Sequence, residues 1–209
     1  MKRRGFRFAG IFCTPLSVTT YFFAARLLTT GFLTPPGALI LSAASSPGQE
    51  SSAARPGAIV KAQAYVSREP VPQGGTFEIA VVADIPAAYH MNAHKTSDEY
   101  LIPTTVSANL PKGIAQVDIS YPPGKLKKFG FSETPLNVYE GRAVILIKLA
   151  ASAQAPVGSL DIPLTLRYQA CNETTCFPPA HFLVTASLKL APAGTASHLL
   201  HPEIFTTQR

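Results

Sequence analysis

The segment "SLDIPLTLRYQACNETTCFPPAHFLVTASLKL", residues 159–190, places two apolar, strand-like stretches on either side of a pair of cysteines. Cys171 ends the first stretch and Cys176 begins the second, and the four residues between them are a common length for a hairpin loop. Facing residues of an antiparallel pair have Cα atoms about 4.5–5.5 Å apart, which is within the span of a disulfide. The segment therefore predicts two antiparallel strands and two cysteines that can form a disulfide easily.

The same pattern of short apolar runs separated by turn residues extends over residues 58–190, with no helical periodicity. Further strands are predicted at residues 58–66, 76–85, 104–110, 114–121 and 137–151. Residues 137–151 count as two strands, and residues 159–190 contribute two more. The chain thus has about eight strands at spacings of roughly 10–15 residues, which predicts an antiparallel β-sandwich of immunoglobulin-like type. A closed barrel is the alternative. Residues 125–136 do not alternate and are predicted to form a loop, and residues 191–209 a loosely attached tail.

The first 44 residues are predicted to be an export segment that is not part of the fold. They contain five of the 18 basic residues and no acidic residue, then an apolar stretch, and they end with Ser42, Ala43 and Ala44, which suit signal cleavage. A retained membrane anchor and a wrongly assigned start are the alternatives. Residues 45–57 are predicted to be a flexible linker. The β-sandwich is therefore expected in the bacterial periplasm or another extracytoplasmic space, with membrane contact only through an uncleaved N-terminal segment.

The net charge of +6 does not indicate nucleic-acid binding, because much of it lies in the predicted export segment. Residues 45–209 contain 13 basic and 12 acidic residues, a net charge of about +1. One short basic run, "KLKK" at 125–128, is typical of a solvated loop. The sequence shows no nucleic-acid-binding motif.

The two cysteines near the carboxyl end have several possible roles. Because Cys13 lies in the export segment, Cys171 and Cys176 are the pair left for the exported part, where disulfides form readily. As a structural staple, a bridge closing a loop of about six residues would contribute roughly 2 kcal/mol, less than a bridge between distant strands. A bridge of this kind near a turn is also accessible and labile, which suits a redox couple.

Metal binding is a further alternative for the exported part. A zinc clip would need His181, or His90 and His94, in addition to the cysteines, but such clips favour shorter cysteine spacings. His90, Met91 and His94 are soft ligands that suit copper, although on a straight strand the two histidines would lie about 13 Å apart. An inert scaffold domain with a local disulfide is another alternative. The residues taken alone leave these alternatives open.

A resemblance to a known family rests on the stretch "LRYQACNETTCFPP". It resembles the active-site stretch in the amino-terminal domain of the DsbD family of bacterial thiol:disulfide interchange proteins. The matching positions are Tyr168, Gln169, Ala170, Cys171, Cys176, Pro178 and Pro179. The segments "YHMNAHKTSDEYLIPTTV", "LPKGI" and "FGFSETPLNVYEG" are also similar to segments of that family, in the same order. The resemblance covers about residues 58–190.

This resemblance implies an immunoglobulin-like domain that receives electrons from a thioredoxin-like partner and passes them to oxidised periplasmic proteins. It implies a protein-disulfide reductase type of exchange without a cofactor, associated with cytochrome c biogenesis. Cys176 would form the mixed disulfide with partners, and Cys171 would resolve it. Family proteins continue into a membrane domain and a thioredoxin-like domain, and neither is expected in this sequence. The electron donor is therefore expected to be a separate chain or a membrane reductase.

The resemblance also implies a short aromatic cap loop that shields the cysteines between encounters. Its counterpart here is the run Lys128, Phe129, Gly130 and Phe131, and burial of both phenylalanines as ordinary core residues is the alternative. A member of the family carries an acidic group in its cap, where this chain has Lys127 and Lys128. Cations close to the cysteines would favour the thiolate form.

Overall fold

The computed structural model describes residues 59–206. The predicted export segment (1–44), with Cys13, and the predicted linker (45–57) lie outside the described residues. Within the described range, no helix is long and apolar enough to cross a membrane.

Strands dominate the described part of the chain. In chain order the elements are β1 (Lys61–Val66), β2 (Arg68–Glu69), β3 (Val71–Pro72), β4 (Thr76–Asp84), β5 (His90–Asn92), β6 (Thr105–Ala108), β7 (Ile114–Ser120), β8 (Lys125–Lys127), β9 (Leu136–Tyr139), β10 (Arg142–Ala151), β11 (Gly158–Tyr168), β12 (Ala170–Cys171), β13 (Ala180–Ala191), β14 (His198–Leu199) and the short helix α1 (Pro202–Phe205).

Two four-stranded sheets form the sandwich, one in the order β1-β4-β10-β7 and the other in the order β3-β13-β11-β6. Alternate residues of each strand face inwards, because successive side chains of a strand point to opposite faces. Ile79 and Ile147 from the first sheet and Leu164 and Val184 from the second belong to one buried apolar cluster. The predicted immunoglobulin-like sandwich is confirmed, and the closed barrel is wrong because the strands form separate sheets.

The predicted strands are found with changes at their ends. Residues 58–66 contain β1, and the segments 76–85, 104–110 and 114–121 contain β4, β6 and β7. The segment 137–151 contains the end of β9 and all of β10, which are separated by a turn at Gly141. Gly141 has a φ of 68°, in the left-handed region that favours glycine.

The long hairpin predicted for residues 159–190 is also present, with a difference that matters for the cysteines. β11 and β13 pair from Gly158↔Leu190 to Tyr168↔Ala180 without a change of register. Beyond Tyr168 the chain leaves this sheet, and β12 pairs with β5 instead. The cysteine loop therefore extends past the end of the sandwich strands and joins a third sheet.

This third sheet has the strand order β12-β5-β9-β8 and corrects one prediction. Residues 125–136 were expected to form only a loop, but Lys125–Lys127 form β8 and pair with β9. β8 is an edge strand whose three residues are exposed or partly exposed, so it has no buried face to produce an alternating pattern. Lysines are common on edge strands because they discourage pairing with other chains.

The carboxyl-terminal segment corrects a second prediction, since it is not loosely attached. β14 pairs with β2, and Phe205 of α1 is buried against Ala80, Val82 and Leu146 on the outer face of the first sheet. The central strands of that sheet are apolar on both faces, so their outer face needs a cover. Residues 207–209 lie outside the described part of the chain.

Candidate functional site

Cys171 and Cys176 face each other across the hairpin and form a disulfide. The S–S distance is 2.00 Å and the Cα atoms are 3.9 Å apart. The amide of Phe177 donates to the carbonyl of Ala170 at 2.8 Å, and the amide of Asn172 donates to the carbonyl of Thr175 at 2.9 Å. These bonds flank the cysteines, which makes them a non-hydrogen-bonded pair, the closer of the two pairings in an antiparallel ladder.

The loop between the cysteines is held by its own hydrogen bonds. The side-chain oxygen of Asn172 accepts from the amides of Thr174 and Thr175 at 2.9 and 2.8 Å and from the hydroxyl of Thr174 at 3.1 Å. This arrangement is an Asx turn, in which a side chain replaces a backbone acceptor. The loop therefore has a defined conformation that does not depend on the disulfide alone.

Cys171 and Cys176 differ in their exposure to solvent. Cys171 lies in β12 and is 0% exposed, whereas Cys176 is partly exposed. Cys176 lines a surface cavity of about 300 Å³ together with Tyr100, Phe131 and Thr175. An incoming thiolate can therefore approach Cys176 from solvent, while Cys171 is screened by the fold.

An aromatic stack lies beside the cysteine pair. His90 is the partner of Cys171 in the ladder between β5 and β12. The ring of Phe129 stacks on His90 with centroids 4.0 Å apart, and the ring of Phe131 stacks on Phe129 at 5.4 Å. The aromatic run expected to form a cap is thus next to the strand that pairs with Cys171.

The two phenylalanines of this run have different environments. Phe129 is 2% exposed and packs with Leu101, Leu136 and Val138, whereas Phe131 is 40% exposed. Gly130 between them is exposed, and a Cβ atom at that position would meet nothing within 4 Å. In this conformation Phe129 has the burial of a core residue, and only Phe131 has that of a surface flap.

Lys127 connects the aromatic run to the cysteine loop. Its Nζ atom donates to Glu140 at 2.8 Å and to Glu173 at 3.1 Å, and it lies 5.1 Å from the centroid of the Phe129 ring. Hydrogen bonding to Glu140 and then to Glu173 raises the pKa of Lys127, and the same bond lowers the pKa of Glu140. The positive charge of Lys127, expected to act on the thiols, is therefore shared with two carboxylates.

Lys128, the second cation near the cysteines, points elsewhere. Its Nζ atom donates to the backbone carbonyls of Ser132, at 2.8 Å, and Glu133. Lys128 therefore closes the loop that carries Phe131.

His90 is buried and electrostatically unusual. Burial lowers its pKa below the ordinary value of 6.5, the nearby charge of Lys127 lowers it further, and the carboxylates of Glu173 and Glu140 act in the opposite direction. Its Nε2 atom is buried without a hydrogen-bond partner. A neutral imidazole is the form that suits this environment at neutral pH.

Two amide side chains hold the hairpin in place. Gln169 donates to the carbonyl of Phe177 at 3.1 Å and accepts from the side chain of Asn92 at 3.1 Å. Asn92 is buried in β5 and also donates to the carbonyl of Ile102. Gln169 was identified from the motif, whereas Asn92 was missed, because a single asparagine in an aromatic-rich segment gives no signal of its own.

The other motif residues occupy two kinds of position. Tyr168 is buried in the main core, where it ends β11, and Pro178 and Pro179 are exposed between the cysteine loop and β13. The motif thus combines one core residue with a surface segment that follows Cys176.

The candidate copper ligands do not converge. The ring of His90 stacks on Phe129, Met91 is buried in the main core, and the ring of His94 stacks on Tyr121 with centroids 3.7 Å apart. Among residues 59–206, no group of three or more His, Cys, Asp or Glu side chains is placed to hold a metal ion.

Comparison with known proteins gives one match to a family. Residues 58–188 match the model described as "Thiol:disulfide interchange protein DsbD, N-terminal". A search of the curated proteins found no match.

Solved structures show distant likenesses. The reduced N-terminal domain of DsbD from Neisseria meningitidis is 20% identical, with 64% of this chain and 88% of that chain covered and a TM-score of 0.37. The N-terminal periplasmic domain of ScsB from Proteus mirabilis is 13% identical, with 64% of this chain and 47% of that chain covered and a TM-score of 0.42. A family 123 glycoside hydrolase from Clostridium perfringens is 10% identical, with 62% of this chain and 27% of that chain covered and a TM-score of 0.30.

Proposed function

The chain belongs to the family of the N-terminal domain of the thiol:disulfide interchange protein DsbD, and on this premise we propose that it relays electrons through the Cys171–Cys176 couple. Members of the family take part in thiol:disulfide exchange. The observation that carries the proposal is the unequal exposure of the two cysteines, since one sulfur can be attacked from solvent while the other is protected.

The reductive half of the cycle begins at Cys176. A thiolate of a reduced dithiol partner attacks the Cys176 sulfur, the bond between the two cysteines breaks, and Cys171 leaves as a thiolate that takes up a proton. The partner's second thiolate then attacks the partner's own sulfur in the mixed disulfide, and Cys176 is released. The partner has become a disulfide, and this protein has gained two electrons and two protons.

The oxidative half repeats the chemistry in the other direction. The Cys176 thiolate attacks a disulfide of an oxidised protein, one sulfur of that protein leaves as a thiol, and a mixed disulfide forms. The Cys171 thiolate then attacks the Cys176 sulfur and releases the second thiol of the substrate. The couple is a disulfide again, and the exchange requires no cofactor, because each step transfers a sulfur–sulfur bond.

The same premise supports a location and partners for the chain. A periplasmic location is proposed from the family and from the export segment predicted for residues 1–44. Its donor would be a thioredoxin-like protein or a membrane reductase, and its acceptors oxidised periplasmic proteins. Disulfide exchange suits such an oxidising compartment.

A redox titration tests whether the couple is exchangeable. The purified protein is equilibrated in glutathione buffers of known ratio, and free thiols are counted by alkylation. We expect a midpoint within the range that periplasmic reductants and oxidants span. A midpoint well below about −300 mV, the range of resistant structural disulfides, would contradict the proposal.

A trapping experiment tests the roles of the two cysteines. Cys171→Ser removes the resolving thiol, so the variant should accumulate a mixed disulfide with a thioredoxin-like protein that retains a single active-site cysteine, activated by thionitrobenzoate as the leaving group. The product is detected by non-reducing electrophoresis. Cys176→Ser should accumulate little, because Cys171 is buried. If Cys176→Ser accumulates the mixed disulfide instead, the assigned roles are reversed. The double variant is the control for attachment elsewhere.

A further inference from the structure

Lys127 is the one side chain among the described residues shown to contact both the aromatic run and the cysteine loop. It extends from the edge strand β8, and its Nζ atom reaches Glu140 after β9, Glu173 between the two cysteines, and the ring of Phe129. The residue pairs are 13 and 46 positions apart in the chain. A single ammonium group therefore joins three segments that meet only in the folded protein.

The position of this ammonium group is directly relevant to access to the disulfide. The Phe129 ring beneath it stacks on His90, and His90 is the ladder partner of Cys171. Glu173 lies in the loop that the disulfide closes. When Lys127 holds Glu173 and the Phe129 ring together, the aromatic run is tied to the cysteine loop on that side.

We propose that Lys127 is a positioning residue that holds the aromatic run, as a partial cap, at the wall of the cavity that Phe131 shares with Cys176. Loss of its ion pairs lets this cap move away from Cys176 and accelerates exchange. This inference rests on the proposed exchange function and adds its regulation. The contacts of the Lys127 ammonium group are with Glu140, Glu173 and the Phe129 ring, not with the sulfur atoms. It acts through the Phe129 ring and the Glu173 carboxylate.

The ion pairs of Lys127 are too weak to hold the fold together but strong enough to shift the position of the cap. The side chains of Lys127, Glu140 and Glu173 are 38%, 33% and 67% exposed, and ion pairs at such exposure shift an equilibrium only about two- to five-fold each. The ammonium–ring contact adds an attraction of similar size. The fold does not depend on these contacts, whereas the balance between a closed and an open cap can.

The test compares rates of disulfide reduction in the full chain. Oxidised wild-type protein, Lys127→Gln and Lys127→Arg are reduced by dithiothreitol and, separately, by a reduced thioredoxin-like protein, and free thiols are counted over time. We expect Lys127→Gln to react about five-fold faster with dithiothreitol. Lys127→Arg should keep a rate close to that of the wild type, because arginine retains the charge and the donors.

Lys125→Gln is the matched control, since it removes the same charge from the same exposed strand. It should react like the wild type, and an equal acceleration in this variant would overturn the proposal by showing an effect of net charge only. Glu173→Gln should accelerate the reaction less than Lys127→Gln. The double variant should be no faster than Lys127→Gln, because both substitutions break the same contact.

A second readout separates a latch from tuning of the thiols. Opening a cap accelerates reduction and reoxidation together, so the midpoint potential in glutathione buffers should stay unchanged in Lys127→Gln. A shifted potential, or a rate that changes in one direction only, would overturn the proposal. Failure of the exchange function is a distinct result, since dithiothreitol would then still reduce the wild-type disulfide while the reduced thioredoxin-like protein would not.

Discussion

Reduction of the Cys171–Cys176 disulfide should destabilise this protein only slightly. We expect the free energy of unfolding to fall by about 2 kcal/mol when the disulfide is reduced. The estimate follows from the chain entropy of a closed loop of about six residues, counting both cysteines, which is roughly 7 cal/mol/K and hence about 2 kcal/mol at 25 °C. The perturbation keeps both sulfur atoms in place and removes only the bond between them.

The structure gives two reasons to expect no further loss. The hairpin keeps the bonds from Asn172 to Thr175 and from Phe177 to Ala170, and the Asx turn keeps the loop in shape. Gln169 independently ties the chain after Cys176 to β5 through Asn92. The backbone around the cysteines is therefore held by contacts that survive reduction.

The assay is urea unfolding of the same protein with and without an excess of a phosphine reductant. The Cys171→Ala, Cys176→Ala double variant serves as the control, since the reductant should not alter its unfolding curve. An unchanged slope against urea would show that both forms expose the same surface on unfolding. A loss above about 4 kcal/mol, or unfolding on reduction, would refute the reasoning and make the disulfide a structural staple.

Three further predictions concern the surroundings of the site and the tail. Phe129→Ala should lower the free energy of unfolding by about 3 kcal/mol in a urea titration and accelerate disulfide reduction, because the Phe129 ring is buried. Phe131→Ala should lower the free energy of unfolding by less than about 1 kcal/mol, because the Phe131 ring is partly exposed. Equal losses in the two variants would contradict the difference in burial. Because the pKa of His90 is lowered in the folded protein, the folded protein binds this proton less readily than the unfolded chain. The contribution of neutral His90 to the free energy of unfolding should therefore be fully present above pH 6.5 and be lost as the pH falls. The slope should be at most about 1.4 kcal/mol per pH unit until the pH passes the folded pKa. His90→Phe should remove that component of the pH dependence in urea titrations at several pH values, and an unchanged profile would contradict it. Phe205→Ala should cost about 3 kcal/mol by uncovering the outer face of the first sheet, and a loss below about 1 kcal/mol would show that the carboxyl-terminal segment is dispensable.

The sandwich could be predicted largely from local pattern. β11 and β13 alternate in sequence because one face of each strand is buried, and that alternation is visible without knowledge of their neighbours. β8 and the carboxyl-terminal segment were missed for the opposite reason. An exposed edge strand has no alternation, and Phe205 becomes a core residue only through contact with residues that are distant in sequence, such as Ala80 and Leu146.

The sequence by itself determined the spacing of the cysteines, the hairpin that joins them and the family motif around them, because these features depend on residues close together in the chain. The tertiary structure alone decided that Cys171 is buried and Cys176 is accessible, that Phe129 stacks on His90, and that Lys127 reaches Glu173. Periodicity shows which face of a strand a side chain occupies but not which distant segment covers that face. Exposure of a sulfur atom and contact between charges from separate strands are therefore properties of the assembled sheets.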